Sequence, residues 1–530
     1  MGCRIGRIVV VGGTTAGWLS AAYLAGTLGS AVRITVLEAP GETLGSDADA
    51  AATGDVQALP AEMQNDFFDP LGIQESDWMR ACRASFRVAA RYTNWRTGGP
   101  AQWAARELPN GGADRFYDPV GGSRTEISHV ALPYYWAWRR NAGETLEPLD
   151  RACFREPPLL DARRSPRWLD GRAALSYGWH VDTALFTAYL RDVATRRWGV
   201  ETARGSLGRA VRDARGDVVA VVTGQGLRVA GELFLDCTGT PADLLAGALG
   251  EPRAGEADRL LCDRTVTLTT PAGSDAGIAP YTSLLAAPDG WLWRMPLLDR
   301  TGVGRVYAAE FTRPEDAARE LAVLCGLDPE EAEVRHNSLP QGRLRRVWVK
   351  NCVAIGGSAS LVEPLDTSRT GGVLHALRRL VRHLPSAAEE REAAVDRFNR
   401  EAECRHRADR DFAQLHYAFG PRRDSPFWSE QTARPLSVAV RDLDAAYRSG
   451  LPLSGGDLRH LTVLASLDTG LPVVPPALAR LDREREEAAE QIERIARQQR
   501  ILGETLPSAS EYLTRLHEGA SRRSGRAGDE

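Results

Sequence analysis

The chain has 530 residues, 43% of them hydrophobic and 26% charged. That length can bury a sizeable core, and the proportions are ordinary for globular proteins, which excludes a collagenous, largely disordered or membrane-spanning chain. A net charge of −4 supplies no bulk attraction for nucleic acid or an anionic membrane, so neither is expected as a partner.

The first predicted element is the β-branched run Arg7-Ile8-Val9-Val10-Val11, suited to a central strand buried on both faces. Gly12 and Gly13 end it. From Ala16 onward, Trp18, Leu19, Ala22, Leu24 and Ala25 give a helix an apolar face, and Ile34 to Glu38 reads as a second strand. A GxGxxG turn in such a βαβ unit brings backbone close to a pyrophosphate at the helix amino terminus, and an acid ending the second strand can hold a ribose. Here the three positions are Gly12, Thr14 and Gly17, and the acid is Glu38. Thr14 carries a branched side chain where the middle glycine would leave room, so the closest approach of a phosphate is expected to be obstructed.

Residues 39–60 lack periodicity and are predicted to be a loop or lid. Residues 61–180 are aromatic-rich, with Trp78, Trp95, Trp103, Trp136 and Trp138, and read as a mixed insertion carrying a substrate pocket. Asp182 to Trp198 forms an amphipathic helix that Asp182 can cap. Short strands through 207–235 lead into Asp236-Cys237-Thr238-Gly239, and further strands are expected near 262–269, 291–297, 305–311 and 346–356. Helices over 371–384, 387–418 and 477–502 make the last third mainly α, and Ser521 to Glu530 reads as a disordered tail. The charges of Asp482 to Arg500 are expected on a solvated helix face, and His180 and His416 as satisfied packing residues. The eight cysteines show no CxxC and are expected to be buried, reduced thiols, with no metal site. The glycine-broken apolar start does not make a signal peptide, which points to the cytoplasm. The fold class is therefore α/β, a doubly wound Rossmann-like module with an aromatic-rich substrate region and a mainly helical carboxy-terminal part. Residues 1–520 are read as one composite unit. Its module comes from 1–60, 181–270 and 340–385, its substrate region from 61–180, 271–339 and 386–520, and 521–530 form the tail.

Val11 to Trp18 reads VGGTTAGW, close to the VGGGTAGW of the flavin-dependent tryptophan halogenases. Trp291-Leu292-Trp293-Arg294-Met295-Pro296 is similar to that family's WxWxIP, and Pro280-Tyr281-Thr282 lies upstream of it. Asp236-Cys237-Thr238-Gly239 resembles DCSG, and Asn351 to Gly356 with Glu363-Pro364-Leu365 resembles NCVAIG and EPL. Arg410-Asp411-Phe412, His416-Tyr417, Phe427-Trp428 and Leu506-Pro507-Ser508 follow in the family's order. The resemblance implies an FAD-binding module in which reduced flavin and oxygen oxidise halide. The hypohalous acid then travels an internal tunnel to a lysine beside an indole, assisted by a glutamate. Carried residue by residue, cofactor contacts fall on Gly12, Gly13, Thr14, Ala16, Gly17, Glu38, Asp236, Gly356, Pro364 and Gly371. The tunnel falls on Trp291, Trp293 and Pro296, and the substrate pocket on Asp118, Val120, Phe427 and Trp428. A small aromatic substrate and a flavin reductase are the implied partners.

The sequence departs from the family at the reacting groups. The lysine position falls on Arg87, and Lys350 is the single lysine among the 66 Lys and Arg residues. A guanidinium is never a free amine, so it forms no haloamine, though it donates hydrogen bonds. The glutamate of EPLESTG becomes Asp366 in Glu363-Pro364-Leu365-Asp366-Thr367-Ser368-Arg369-Thr370-Gly371, with two residues more than the family's stretch. The GVGEATxP strap has no clear counterpart in Ser46 to Pro60, and the family's YHPF becomes Tyr117-Asp118-Pro119-Val120. The leading expectation is a protein of bacterial specialised metabolism that has lost lysine-based halogenation and binds flavin weakly or not at all. Such a protein is repurposed, or is a non-catalytic partner of another biosynthetic protein. The alternative is an active FADH2-dependent halogenase or monooxygenase of an indole or other aromatic, in which Arg87 holds the oxidant by hydrogen bonds.

Overall fold

The computed structural model describes residues 5–39, 54–108, 112–122, 125–272, 277–366, 368–385, 391–453, 457–468 and 473–518. Two sheets organise them. In the first, the β-branched strand Arg7–Val11 is buried and pairs in parallel with Arg33–Glu38 on one side and Leu233–Asp236 on the other. Glu201–Arg204 and Cys352–Ala354 extend it in parallel, and Trp348–Val349 closes one edge antiparallel. The helix Thr15–Leu28 returns over this sheet and packs against the helices Thr183–Trp198 and Arg369–His383. The βαβ expectation holds, and the chain reverses between Arg7–Val11 and Leu233–Asp236, where open α/β sheets bind ligands beyond their strand ends.

The second sheet runs Arg335–Ser338, Arg264–Pro271, Arg300–Tyr307, Gly290–Pro296, Tyr281–Ala287, Ala89–Thr93 and Arg115–Pro119. Alternation along Gly290–Pro296 puts Trp291 and Trp293 on one face. Trp293 lies across from Gly304, where a Cβ would come within 2.4 Å of the indole, so that glycine makes the space the ring fills. A small sheet of Val56–Leu59, Gly178–Asp182 and Ser85–Arg87 bridges the two. Val56–Leu59 adds a strand to what was expected as loop; residues 40–53, most of the expected strap, lie outside the described residues, as does the tail from 519 onward.

The expected helices are present. Asp182 caps Thr183–Trp198 by accepting from the Leu185 amide at 2.8 Å. The helix Asp482–Thr505 buries Ala488, Ile495 and Leu502 at heptad spacing and turns its charges outward. Among the described residues no helix is long and apolar enough to cross a membrane. The described cysteines are free thiols; unlike the expectation, Cys325 is only half-buried and Cys404 is exposed, because its helix face meets solvent.

Candidate active site

The strand ends of the parallel sheet gather Gly12–Gly17, Glu38, Asp236 and Gly356. Gly12 adopts φ +111°, and a Cβ there would lie 2.5 Å from the Cys237 carbonyl oxygen. A Cβ on Gly17 would lie 2.0 Å from the Gly12 carbonyl oxygen. Both glycines are therefore required by strand–helix packing. Thr14 corrects the expectation of an obstructed turn. Its backbone is extended at φ −69° and ψ 171°, which any residue adopts, and its side chain faces inward. Thr14 Oγ1 accepts from the Gly17 amide at 3.0 Å and donates to the Cys237 carbonyl at 2.9 Å, capping the helix and clamping it to the next strand. Thr14→Gly is expected to lower stability by about 1 kcal/mol without tightening FAD binding, as checked by thermal melts and fluorescence titration.

Two further expected cofactor residues are committed elsewhere. Glu38 accepts from the Trp18 indole at 3.2 Å and pairs with Arg191 at 3.2 Å, so a ribose hydroxyl would compete with both. The buried Asp236 carboxylate accepts from Thr238, Ser358 and the Leu244 and Leu245 amides. Those bonds engage both of its oxygens as a cap for the turn that follows. What remains offers donors for an anionic group. Thr15 and Ala16 at the helix start, the backbone of Gly356 and Gly357, and the guanidinium groups of Arg369 and Arg379 converge on a cavity of about 140 Å³.

A larger cavity of about 600 Å³ adjoins the first, sharing Ser368, His375 and Arg405 with it. Trp291, Trp293 and Met295 form one wall, Asp118 to Gly122 another, and Pro364 and Gly371 also line it. Pro296 does not line it. The residue ends its strand, and its carbonyl accepts the Ser85 hydroxyl. Phe427 and Trp428 also stand corrected: both are buried in the core, with the Trp428 indole donating to the Ala287 carbonyl at 2.8 Å and its ring under Arg422. Neither lines the cavity. Ser368 caps the helix Arg369–His383 by accepting from the Gly371 amide at 3.1 Å, so that amide is spent inside the loop.

Arg87 and Asp366 meet in this cavity as an ion pair, with side chains 12% and 9% exposed. Asp366 holds a left-handed φ of +52°, a costly conformation for a residue with a Cβ. The longer cation and shorter acid keep a cation–carboxylate pair in contact. Lys350 lies in an exposed turn at the edge of the parallel sheet and does not line the cavity.

Three groups escaped the sequence reading. Thr282 stands beside Arg87, accepting from its Nε at 3.1 Å, and its only sequence signal was the Pro280-Tyr281-Thr282 triplet. His180, expected to be structural, is buried and lies 2.8 Å from Thr282. Glu363 is fully buried and accepts from the Trp291 indole and the Tyr417 hydroxyl through one oxygen, while its second oxygen has no hydrogen-bond partner within normal distance among the described residues. Burial pushes its carboxyl up to about 7, against the opposing bonds from Tyr417, Trp291 and Cys262. His416 packs as expected, its Nδ1 donating to the Phe412 carbonyl and its Nε2 accepting from Tyr92.

Residues 7–460 match the family model described as tryptophan halogenase. The chain is 37% identical to the tryptophan 6-halogenase ThaL of Streptomyces albogriseolus, over 98% of this chain and 99% of that one. It is also 37% identical to the tryptophan 7-halogenase RebH of Lentzea aerocolonigenes, over 98% and 100%. The solved structure of the tryptophan 6-halogenase SttH of Streptomyces toxytricini superposes with a TM-score of 0.85 at 30% identity, covering 96% of this chain and 99% of that one. With matches along its whole length and the cavity that its paired tryptophans line, the chain belongs to the flavin-dependent tryptophan halogenase family.

Proposed function

We propose that the protein is an FADH2-dependent halogenase of an indole or other aromatic ring, in which Arg87 replaces an amine by a hydrogen-bonding guanidinium. The observation that carries this reading is the buried Arg87–Asp366 pair lining the same cavity as Trp291 and Trp293. Bound reduced flavin supplies, with oxygen and halide, the electrophilic halogen. The backbone at Thr15 and Ala16 and at Gly356–Gly357 would hold it, with Arg369 and Arg379, the latter also paired with Glu401, answering its negative charge. Trp291, Trp293 and Met295 exclude bulk water and the organic substrate from that end of the cavity. Of the five N–H groups of a guanidinium, Arg87 commits one to Thr282 and one to Asp366 and offers the rest to the oxidant. Asp366, the carboxylate beside it, is the group suited to accept the proton released from the ring carbon. The relatives' names specify tryptophan at the 6 and 7 positions. Here Asp118, Val120, Gly121 and Gly122 form a wall without an aromatic ring, which favours a bulkier substrate than free tryptophan.

The missing amine favours a second reading, a family scaffold that binds flavin but no longer halogenates. One experiment separates them: titration with FAD, then incubation with a flavin reductase, chloride or bromide, and a panel of free and peptide-bound indoles. A product with a halogen isotope pattern is the expected result. Flavin binding without product across the panel supports the second reading, and failure to bind flavin sinks the first.

A further inference from the structure

We infer that His180 is a positioning residue for Arg87, acting through Thr282, an inference that rests on the role proposed for Arg87 above. His180 sits in the strand Gly178–Asp182, in register with Ser85 on the neighbouring strand. Its Nε2 is 2.8 Å from Thr282 Oγ1 and its Nδ1 is 3.4 Å from Ser85 Oγ. The direction of each bond follows from the donors available. Arg87 Nε has only a hydrogen to give, so Thr282 Oγ1 accepts from it at 3.1 Å. The Thr282 hydrogen is assigned to His180 Nε2, the acceptor 2.8 Å away, which then presents a lone pair. His180 therefore carries its proton on Nδ1, facing Ser85 Oγ, and Ser85 donates onward to the Pro296 carbonyl.

The chain of bonds runs one way from the cavity to the end of the strand bearing Trp291 and Trp293. It is consistent only while His180 is neutral, because a proton on Nε2 would leave the Thr282 hydrogen without its acceptor. Burial, and then the charge of Arg87, hold the imidazole down to about 3, so it stays neutral across the working range. The arrangement matters for an arginine in a way it would not for a lysine. A guanidinium is planar, and two anchors fix its plane: Nε on Thr282 and Nη2 on Asp366. With Asp366 alone the group can turn about that contact, and its remaining N–H groups lose their aim.

The test has one readout independent of turnover. In protein labelled with ¹⁵N-histidine, with the His180 signal assigned by its loss in His180→Gln, the wild type is expected to show the neutral Nδ1–H tautomer from about pH 5 to 8. An Nε2–H tautomer, or protonation in that range, overturns the inference whether or not the protein halogenates. In turnover, His180→Gln retains an acceptor and is expected to keep product per reduced flavin consumed within about twofold. His180→Leu removes the acceptor and is expected to lower that ratio about 10- to 100-fold. Equal ratios in the two variants overturn the inference. If the wild type gives no product, the proposed function fails, while the tautomer measurement still decides the bonding. If His180→Leu does not fold, Thr282→Val, which breaks the chain one bond closer to Arg87, takes its place with the same expected loss.

Discussion

Arg87→Ala is expected to lower halogenated product by about 10²- to 10³-fold while reduced flavin continues to be consumed, because oriented donors in a dry site act on the reacting atoms and not on cofactor oxidation. The substitution also leaves the Asp366 carboxylate, only 9% exposed, without its cation. Breaking such a pair costs about 3–5 kcal/mol, so the melting temperature must be recorded beside activity. Arg87→Lys is the control for stability. It keeps a positive charge for Asp366 but has no Nε–H for Thr282, and it should fold while giving less product than the wild type. Product and oxygen uptake measured in parallel, with a flavin reductase present, check both variants. Wild-type product from Arg87→Ala sinks the role of Arg87. More product from Arg87→Lys than from the wild type would show that the pocket still prefers an amine, and that the guanidinium is a handicap.

The parallel module was legible because its signals are local. A β-branched run, a glycine turn and a 3.6-residue apolar pattern sit next to one another in the sequence, and Asp182 stands where an N-cap must. Thr14 was misread because spacing reveals residue type and not rotamer; only the structure shows the hydroxyl turned to Gly17 and Cys237. Phe427 and Trp428 failed for a related reason, since large aromatic rings suit a pocket wall and a buried core equally well. Trp291 and Trp293 line the larger cavity because period two on a strand puts both on one face, and their neighbour Gly304 leaves the room. The networks around Arg87 were invisible for want of any local pattern. Thr282 lies 195 residues from Arg87, and Tyr417 lies 54 residues from Glu363. Such contacts come from packing together strands, loops and a helix that lie far apart in the chain.

Glu363→Gln is expected to make the protein more stable at about pH 8 and to change little at about pH 5. Glu363 is enclosed by Trp291, Tyr417 and Cys262, with no cation against it among the described residues, and its carboxyl is raised to about 7. In the unfolded chain the same group ionises near 4.5, the ordinary value. Below that, both states hold the proton and the group contributes nothing to the pH dependence. Between the two values the folded state keeps a proton that the unfolded state has lost, so stability falls as pH rises. Above about 7 the folded protein carries a buried, uncompensated charge, a penalty on the order of 3 kcal/mol that glutamine cannot incur. Melting curves from acid to alkaline pH should therefore diverge on the alkaline side, and parallel curves would rule the idea out. Glu363→Ala should behave differently, losing stability at every pH because the Trp291 indole and Tyr417 hydroxyl are both left buried without an acceptor. That contrast explains why a group so poorly solvated stays in place. One carboxylate oxygen ties Trp291 in the cavity wall to Tyr417 of the helix Arg391–Phe419, and the Glu363 carbonyl accepts from the Leu365 amide in the short turn that precedes the left-handed Asp366.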